Sequence, residues 1–499
     1  MSNLPDDPEG AEERERMLHS MLEGFFGDRT DEVLAQMRAQ GIDPAALAGV
    51  PGAGAPDPAV MQQVLAQVQR LLSASGDGPV NTDVAHDVAR QVAASEGDPS
   101  LTGGESKSAT DALRLAELWL DAVTDLPPAG GPSHAWSRSE WVEATLPAWN
   151  RLVAPVATSV AEALATVLRD QLPEDLSGSG MPALPGLPVG ALGALDPAEM
   201  MRRLGAAVFG MQTGQAAGTL SREVFGATDV GVPLLAEPAT VLLPTNVAAF
   251  ADGLDVPLEE VRHFLALREA AHARLFAHVP WLPAHLHALV EQYARGITID
   301  LDVLEEQIRG IDPSDAEALR GALTGGVFGL QHTPQQEATL LRLETALALV
   351  EGWVTEVAAA AALPHLPHTY PLREMMRRRR AAGGPAEHTF STLVGLELRP
   401  RRSREATALF AHLLAEGGPE ARDAVWQHPD LLPDDADLDD PAGYHARRAA
   451  LAEEQADVDA ALAQILGSAD ADGTDPSDRG GDEGRDEDGS GEPGPAGGR

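Results

Sequence analysis

The segment 257–282 reads PLEEVRHFLALREAAHARLFAHVPWL. Val261, Phe264, Leu265, Leu275 and Phe276 recur at helical spacing, which predicts a helix over 257–278. On such a helix positions 265, 268, 269, 272 and 276 are neighbours, so Arg268, Glu269 and His272 fall on or beside the apolar stripe. Three ionisable side chains aimed at an interior are costly unless they are paired or bound to a metal. Something must meet them. A second helix, predicted over 334–362, repeats the pattern: Leu340, Glu344, Leu347, Glu351 and Val354 share one face. Gly352 follows Glu351, and a glycine inside a helix costs about 1 kcal/mol against alanine. Its presence predicts the close approach of another backbone or of a ligand.

The simplest chemistry joining two such helices is an HExxH metal site. There two histidines one turn apart bind zinc, the glutamate activates a metal-bound water, and a later helix donates a third ligand. Here the window reads Arg268-Glu269-Ala270-Ala271-His272. The glutamate and the second histidine are in place, and an arginine stands where the first histidine belongs. Arginine stays protonated and has no lone pair to offer, so it cannot replace a zinc ligand.

Several blocks together resemble the actinobacterial zincin-like metallopeptidases, also described as hydrolases, some of whose relatives are linked to deazaflavin-coenzyme biosynthesis. The blocks are GMQTGQAAGTLSREVFGATDVGVPLL (210–235), VLLPTNVAAF (241–250), LREAAHARLFAHVPWL (267–282) and ALVEGWVTEV (348–357). They continue with RRRR (377–380), TFSTLVGLELRPRR (389–402) and VWQHPDLLPDDADLDDP (425–441). The likeness covers about 200 to 445 and reaches back toward 110. It implies a zincin-like fold, with zinc as cofactor and a peptide or protein as substrate. It further implies Glu269 as general base, His272 as a metal ligand and Glu351 as the third ligand. Position 268 departs from the family's metal-binding pattern.

Two readings follow. In one the chain is a zinc-dependent metallopeptidase or related hydrolase, its missing ligand supplied from elsewhere. His263, His278, His285, His287, His365, His368, Glu344 and Glu356 are the candidates, with His365 and His368 first. In the other it is a metal-free pseudo-enzyme, a binding or scaffolding protein in which Arg268 pairs with Glu351.

Composition narrows the alternatives. The 499 residues carry 36 basic and 77 acidic side chains, a formal charge of −41, which disfavours nucleic acid and anionic membrane surfaces as partners. The absence of cysteine removes disulfides, thiolate nucleophiles and Cys-ligated metal sites. The acidic N-terminus lacks the apolar core of a signal peptide and no stretch is apolar enough to span a bilayer, so a cytoplasmic location is expected. Residues 467–499 hold ten Asp or Glu against three Arg, with no large apolar residue; this predicts a disordered acidic tail. Nine arginines between 373 and 404 form a local basic block, which surrounding acids or a bound anion would neutralise.

Along the chain, 1–105 reads as an N-terminal region with flexible segments, 106–466 as the zincin-like domain and 467–499 as the tail. Helices are predicted at 109–125, 138–171, 197–225, 283–295, 301–309, 314–322, 403–416, 419–427 and 444–466, with ATVLL (239–243) as the best strand. Gly210, Gly214 and Gly218, four apart, predict a tightly packed helix pair. Trp119, Trp141, Trp149, Trp281, Trp353 and Trp426 are expected first as core anchors, with lining of the site as the alternative for Trp281 and Trp353. The class is mainly α with a small β element and a helical N-terminal extension.

Overall fold

The computed structural model describes residues 78–171, 197–296, 333–383, 391 and 401–471. The helices expected at 301–309 and 314–322 and nearly all of the acidic tail lie outside these residues. The chain divides into two compact units, Met1–Pro441 and Ala442–Arg499.

The first unit runs α1 (Thr82–Ala94), α2 (Gly103–Leu120), β1 (Ser133–Ala135), α3 (Arg138–Gln171), α4 (Pro197–Ser221), β2 (Thr240–Leu242) and α5 (Pro244–Ala251). It continues with α6 (Leu258–His278), α7 (Trp281–Arg295), α8 (Pro334–Ala362), α9 (Thr369–Ala382), α10 (Ser403–Asp423) and the short α11 (Asp435–Asp439). The mainly α class is as the sequence predicts. The β element is one parallel pair, with Ser133 opposite Thr240 and Ala135 opposite Leu242. The second unit contributes α12 (Tyr444–Ala471), exposed from Ala449 to Ala463.

Helix α2 begins at Gly103, inside a segment whose glycines suggest a loop. Thr102 and Glu105 form a capping box that satisfies the first-turn amides and fixes this start. Helix α1 falls in the stretch read as the N-terminal region, yet it packs on α3 and α4. Its contact with α4 uses the glycine row: a Cβ at Gly218 would stand 2.6 Å from that of Val92. The row is therefore a helix–helix seam, as the spacing predicts.

Helix α6 is central. Every residue from Phe264 to Leu275 is buried, not only one stripe, because α2, α5, α8, α9 and β2 surround it. Arg274 anchors it to α2 through Glu117 Oε2 at 2.6 Å and Asp121 Oδ1 at 2.7 Å. Helix α8 lies beside α6 and against α10. It is long and apolar enough by composition to cross a membrane, but it is largely buried within this unit. At Gly352 a Cβ would come within 2.8 Å of the backbone of Ala406 and Thr407, so the glycine admits α10 and not a ligand. Trp353 Nε1 donates to Asp423 at 2.8 Å, and Trp281 Nε1 donates to the Trp426 carbonyl at 3.0 Å. Both tryptophans thus serve packing between elements, the anchoring role expected first, and not the alternative of site lining.

Candidate functional site

Helices α6 and α8 do bring the singled-out groups together. Arg268, Glu269, His272 and Glu351 are exposed by only 4, 3, 1 and 6%. They form two centres, not one.

The first is Glu269. Its side chain leaves α6 toward the loop after α4 and the edge of β2. Oε1 accepts from the amides of Ala227 (3.0 Å) and Val241 (3.1 Å). Oε2 accepts from the Thr228 amide (3.1 Å) and the Thr228 hydroxyl (2.5 Å). Gly226 makes this approach feasible, since a Cβ there would stand 2.6 Å from the carboxyl carbon. Burial pushes Glu269 up to about 7, against the lowering effect of these donors. All four acceptor positions are filled by protein, which is how a structural carboxylate is held.

The second centre is the ion pair between α6 and α8. Arg268 donates to Glu351 Oε1 at 2.7 Å and to Thr355 Oγ1 at 3.3 Å. From α9, Arg380 stands 3.5 Å from Glu351 Oε2 and pairs with Asp229 Oδ1 at 3.1 Å. Burial would raise Glu351, but Arg268 and then Arg380 outweigh it and hold the carboxyl down at about 2. His272 Nδ1 lies 2.9 Å from the Arg268 carbonyl, an acceptor only, so Nδ1 carries the hydrogen and Nε2 presents a lone pair. That Nε2 is buried without a hydrogen-bond partner, 4.0 Å from Glu351 Oε2. Burial, with Arg268 and Arg380 adding to it, lowers His272 to about 4 despite the nearby Glu351.

The His272 shift gives a pH signature. Folded His272 binds its proton only near pH 4, whereas the unfolded residue does so near 6.5, so its contribution to stability is present above 6.5 and is lost on acidification through 4. This contribution amounts to on the order of 3 kcal/mol. Urea-unfolding stability should therefore fall as pH drops from 6.5 toward 4, and in His272→Phe that part of the fall should be lost. An identical profile in variant and wild type would refute this assignment.

Zinc is the metal an HExxH-type site implies, and the donor set here does not fit it. Position 268 offers no lone pair, and its guanidinium takes Glu351 Oε1. His272 Nε2 and Glu351 Oε2 remain, with Arg380 beside the latter. Among the described residues no group of three or more His, Asp or Glu is arranged to hold an ion. The candidate replacement ligands have other contacts. His365 stacks on Trp119 with ring centroids 4.1 Å apart, and His263 tilts against the same ring. His368 pairs with Glu260 at 3.1 Å, and Arg373 takes Glu356 at 3.2 Å. Glu344 lies 3.5 Å from Arg401. His278 and His287 bond to the carbonyls of Pro128 and Pro283, and His285 meets the edge of Trp281.

The family model for zincin-like metallopeptidases matches residues 80–444. The chain belongs to that family. The match begins just before α1, so the helix pair α1–α4 falls within the matched region. A crystal structure from Chloroflexus aurantiacus, titled a "putative hydrolase with a novel fold", superposes with a TM-score of 0.51 at 19% identity. It spans 74% of this chain and 99% of its own, a likeness of fold. No curated protein matches.

Sequence reasoning finds the α6 and α8 residues but misses what holds them. The donors to Glu269 are mostly backbone amides, which no side-chain pattern reveals. Asp229 and Arg380 lie within blocks quoted for the resemblance, but only the fold places them beside Glu351.

Proposed function

We propose that this chain is a metal-free member of the zincin-like family, a binding or scaffolding protein that keeps the architecture of a metallopeptidase without its hydrolytic centre. One observation carries the reading: the guanidinium of Arg268 lies 2.7 Å from Glu351, joining the positions of the expected first and third metal ligands. An ion pair neutralises the carboxylate from within the chain, and a divalent cation beside Arg268 would meet repulsion. The position of Glu269 supports the same reading. A general base must reach the water it activates, and this carboxylate is engaged by Ala227, Thr228 and Val241.

The zinc-dependent peptidase reading keeps one specific support, the lone pair of His272 Nε2 facing Glu351 Oε2 at 4.0 Å. Metal content separates the two. After equilibration with zinc and removal of the excess, mass spectrometry should find far less than one zinc per wild-type chain. Near-stoichiometric zinc that disappears in His272→Ala and Glu351→Ala would overturn the metal-free reading and justify peptidase screening.

A further inference from the structure

The arginine block on α9 has the composition of an anion-binding patch, yet its members face different surroundings. Arg377 and Arg378 both pair with Glu374 on the same helix. Arg373 crosses to Glu356 of α8. Arg379 lies over the Phe225 ring, 4.2 Å from its centroid, and donates to the Glu223 carbonyl at 2.6 Å. Arg380 turns inward. Its guanidinium bonds the backbone and side chain of Asp229 and reaches within 3.5 Å of Glu351 Oε2. Asp229 is itself fixed, because its Oδ2 accepts the Phe225 amide at 3.2 Å.

Glu351 is thus flanked on both oxygens, by Arg268 on Oε1 and by Arg380 on Oε2. Two guanidinium groups carry two positive charges, the charge of one divalent cation, and both stay protonated at any physiological pH. They come from α6 and α9, while the carboxylate they share comes from α8. We infer that Arg268 and Arg380 act together as a two-arginine replacement for a divalent metal, so that restoring a histidine at 268 is not by itself enough to admit the ion. This inference rests on the metal-free reading above. It also assigns one member of the 377–380 block to the buried centre.

The electrostatics set the expected size. A guanidinium a few ångströms from a bound divalent ion repels it strongly even at an effective dielectric of about 20. Removing Arg380 should therefore strengthen binding further once the ligand at 268 is restored. Glutamine keeps much of the volume of Arg380 and leaves Asp229 with its amide donor.

Wild type, Arg268→His, Arg380→Gln and the double variant Arg268→His/Arg380→Gln would be titrated with Co²⁺ and Zn²⁺, following the cobalt absorption spectrum and bound-metal stoichiometry. Circular dichroism would establish that each is folded. The expected result is no tight binding in wild type or Arg380→Gln, weak binding in Arg268→His, and binding tighter by at least roughly tenfold in the double variant. Equal affinity in Arg268→His and the double variant would overturn the role of Arg380. So would a folded double variant that binds no metal. Tight binding by wild type would instead bring down the metal-free reading itself, a separate outcome. Should the double variant not fold, urea unfolding of Arg380→Gln, Glu351→Gln and their combination tests the same contact. A combined loss clearly smaller than the sum of the single losses supports it, and strict additivity overturns it.

Discussion

Glu269→Gln is expected to destabilise the first unit by about 3 kcal/mol, and Glu269→Ala by more. The carboxylate accepts two hydrogen bonds on each oxygen, three from backbone amides and one from the Thr228 hydroxyl. Glutamine keeps one acceptor oxygen and turns an NH₂ group toward the donors at the other position. A buried donor left without an acceptor costs about 1–3 kcal/mol, and two such contacts are lost or reversed. Alanine abandons all four and opens a cavity beside Gly226. Urea-unfolding midpoints at constant pH measure both losses. In an HExxH enzyme the same glutamine change would remove turnover and leave the fold almost unaffected, since the general base there serves the reaction. An unchanged midpoint for Glu269→Gln would therefore remove the structural assignment and return this residue to catalysis.

The fold class was legible because its signals are periodic. The apolar spacing of α6 and α8 and the four-residue glycine row of α4 each survive into the structure as a buried helix or a close seam. Less legible were features set by long-range contact. The parallel partner of β2 is a three-residue strand more than a hundred positions earlier, with no hydrophobic alternation to announce it. Helix α9, dense in arginine, has no apolar face broad enough for the pattern to detect, although Leu372 and Met376, one turn apart, are its buried anchors. Glycine after Thr102 hid the start of α2, where the capping pair Thr102 and Glu105 was the more informative signal. For the site, the 268–272 spacing and the position of Glu351 indicated which side chains converge. Which way Glu269 faces could not be read from the same residues. Consecutive positions on a helix diverge by about 100°, and only the tertiary fold decides which of two neighbours meets α8 and which meets β2.

The ion pair between α6 and α8 should behave as a coupled unit with a large effect when half of it is removed. Arg268→Met leaves Glu351 buried with the Thr355 hydroxyl at 3.4 Å and the more distant Arg380, and Glu351→Leu leaves the Arg268 guanidinium buried with Thr355 alone. Each single change is expected to cost about 3–5 kcal/mol, because an uncompensated charge stays behind in a poorly solvated position. The double change, Arg268→Met with Glu351→Leu, removes both charges and retains apolar volume, so it should recover most of that loss. Urea unfolding of the four proteins gives the coupling directly, with a value of at least about 2 kcal/mol expected. Additive losses would mean that the contact at 2.7 Å does not govern the centre. Recovery in the double variant carries a further implication. A pair replaceable by methionine and leucine is not needed for stability, and its persistence in the core then has to be explained by what the centre recognises or excludes.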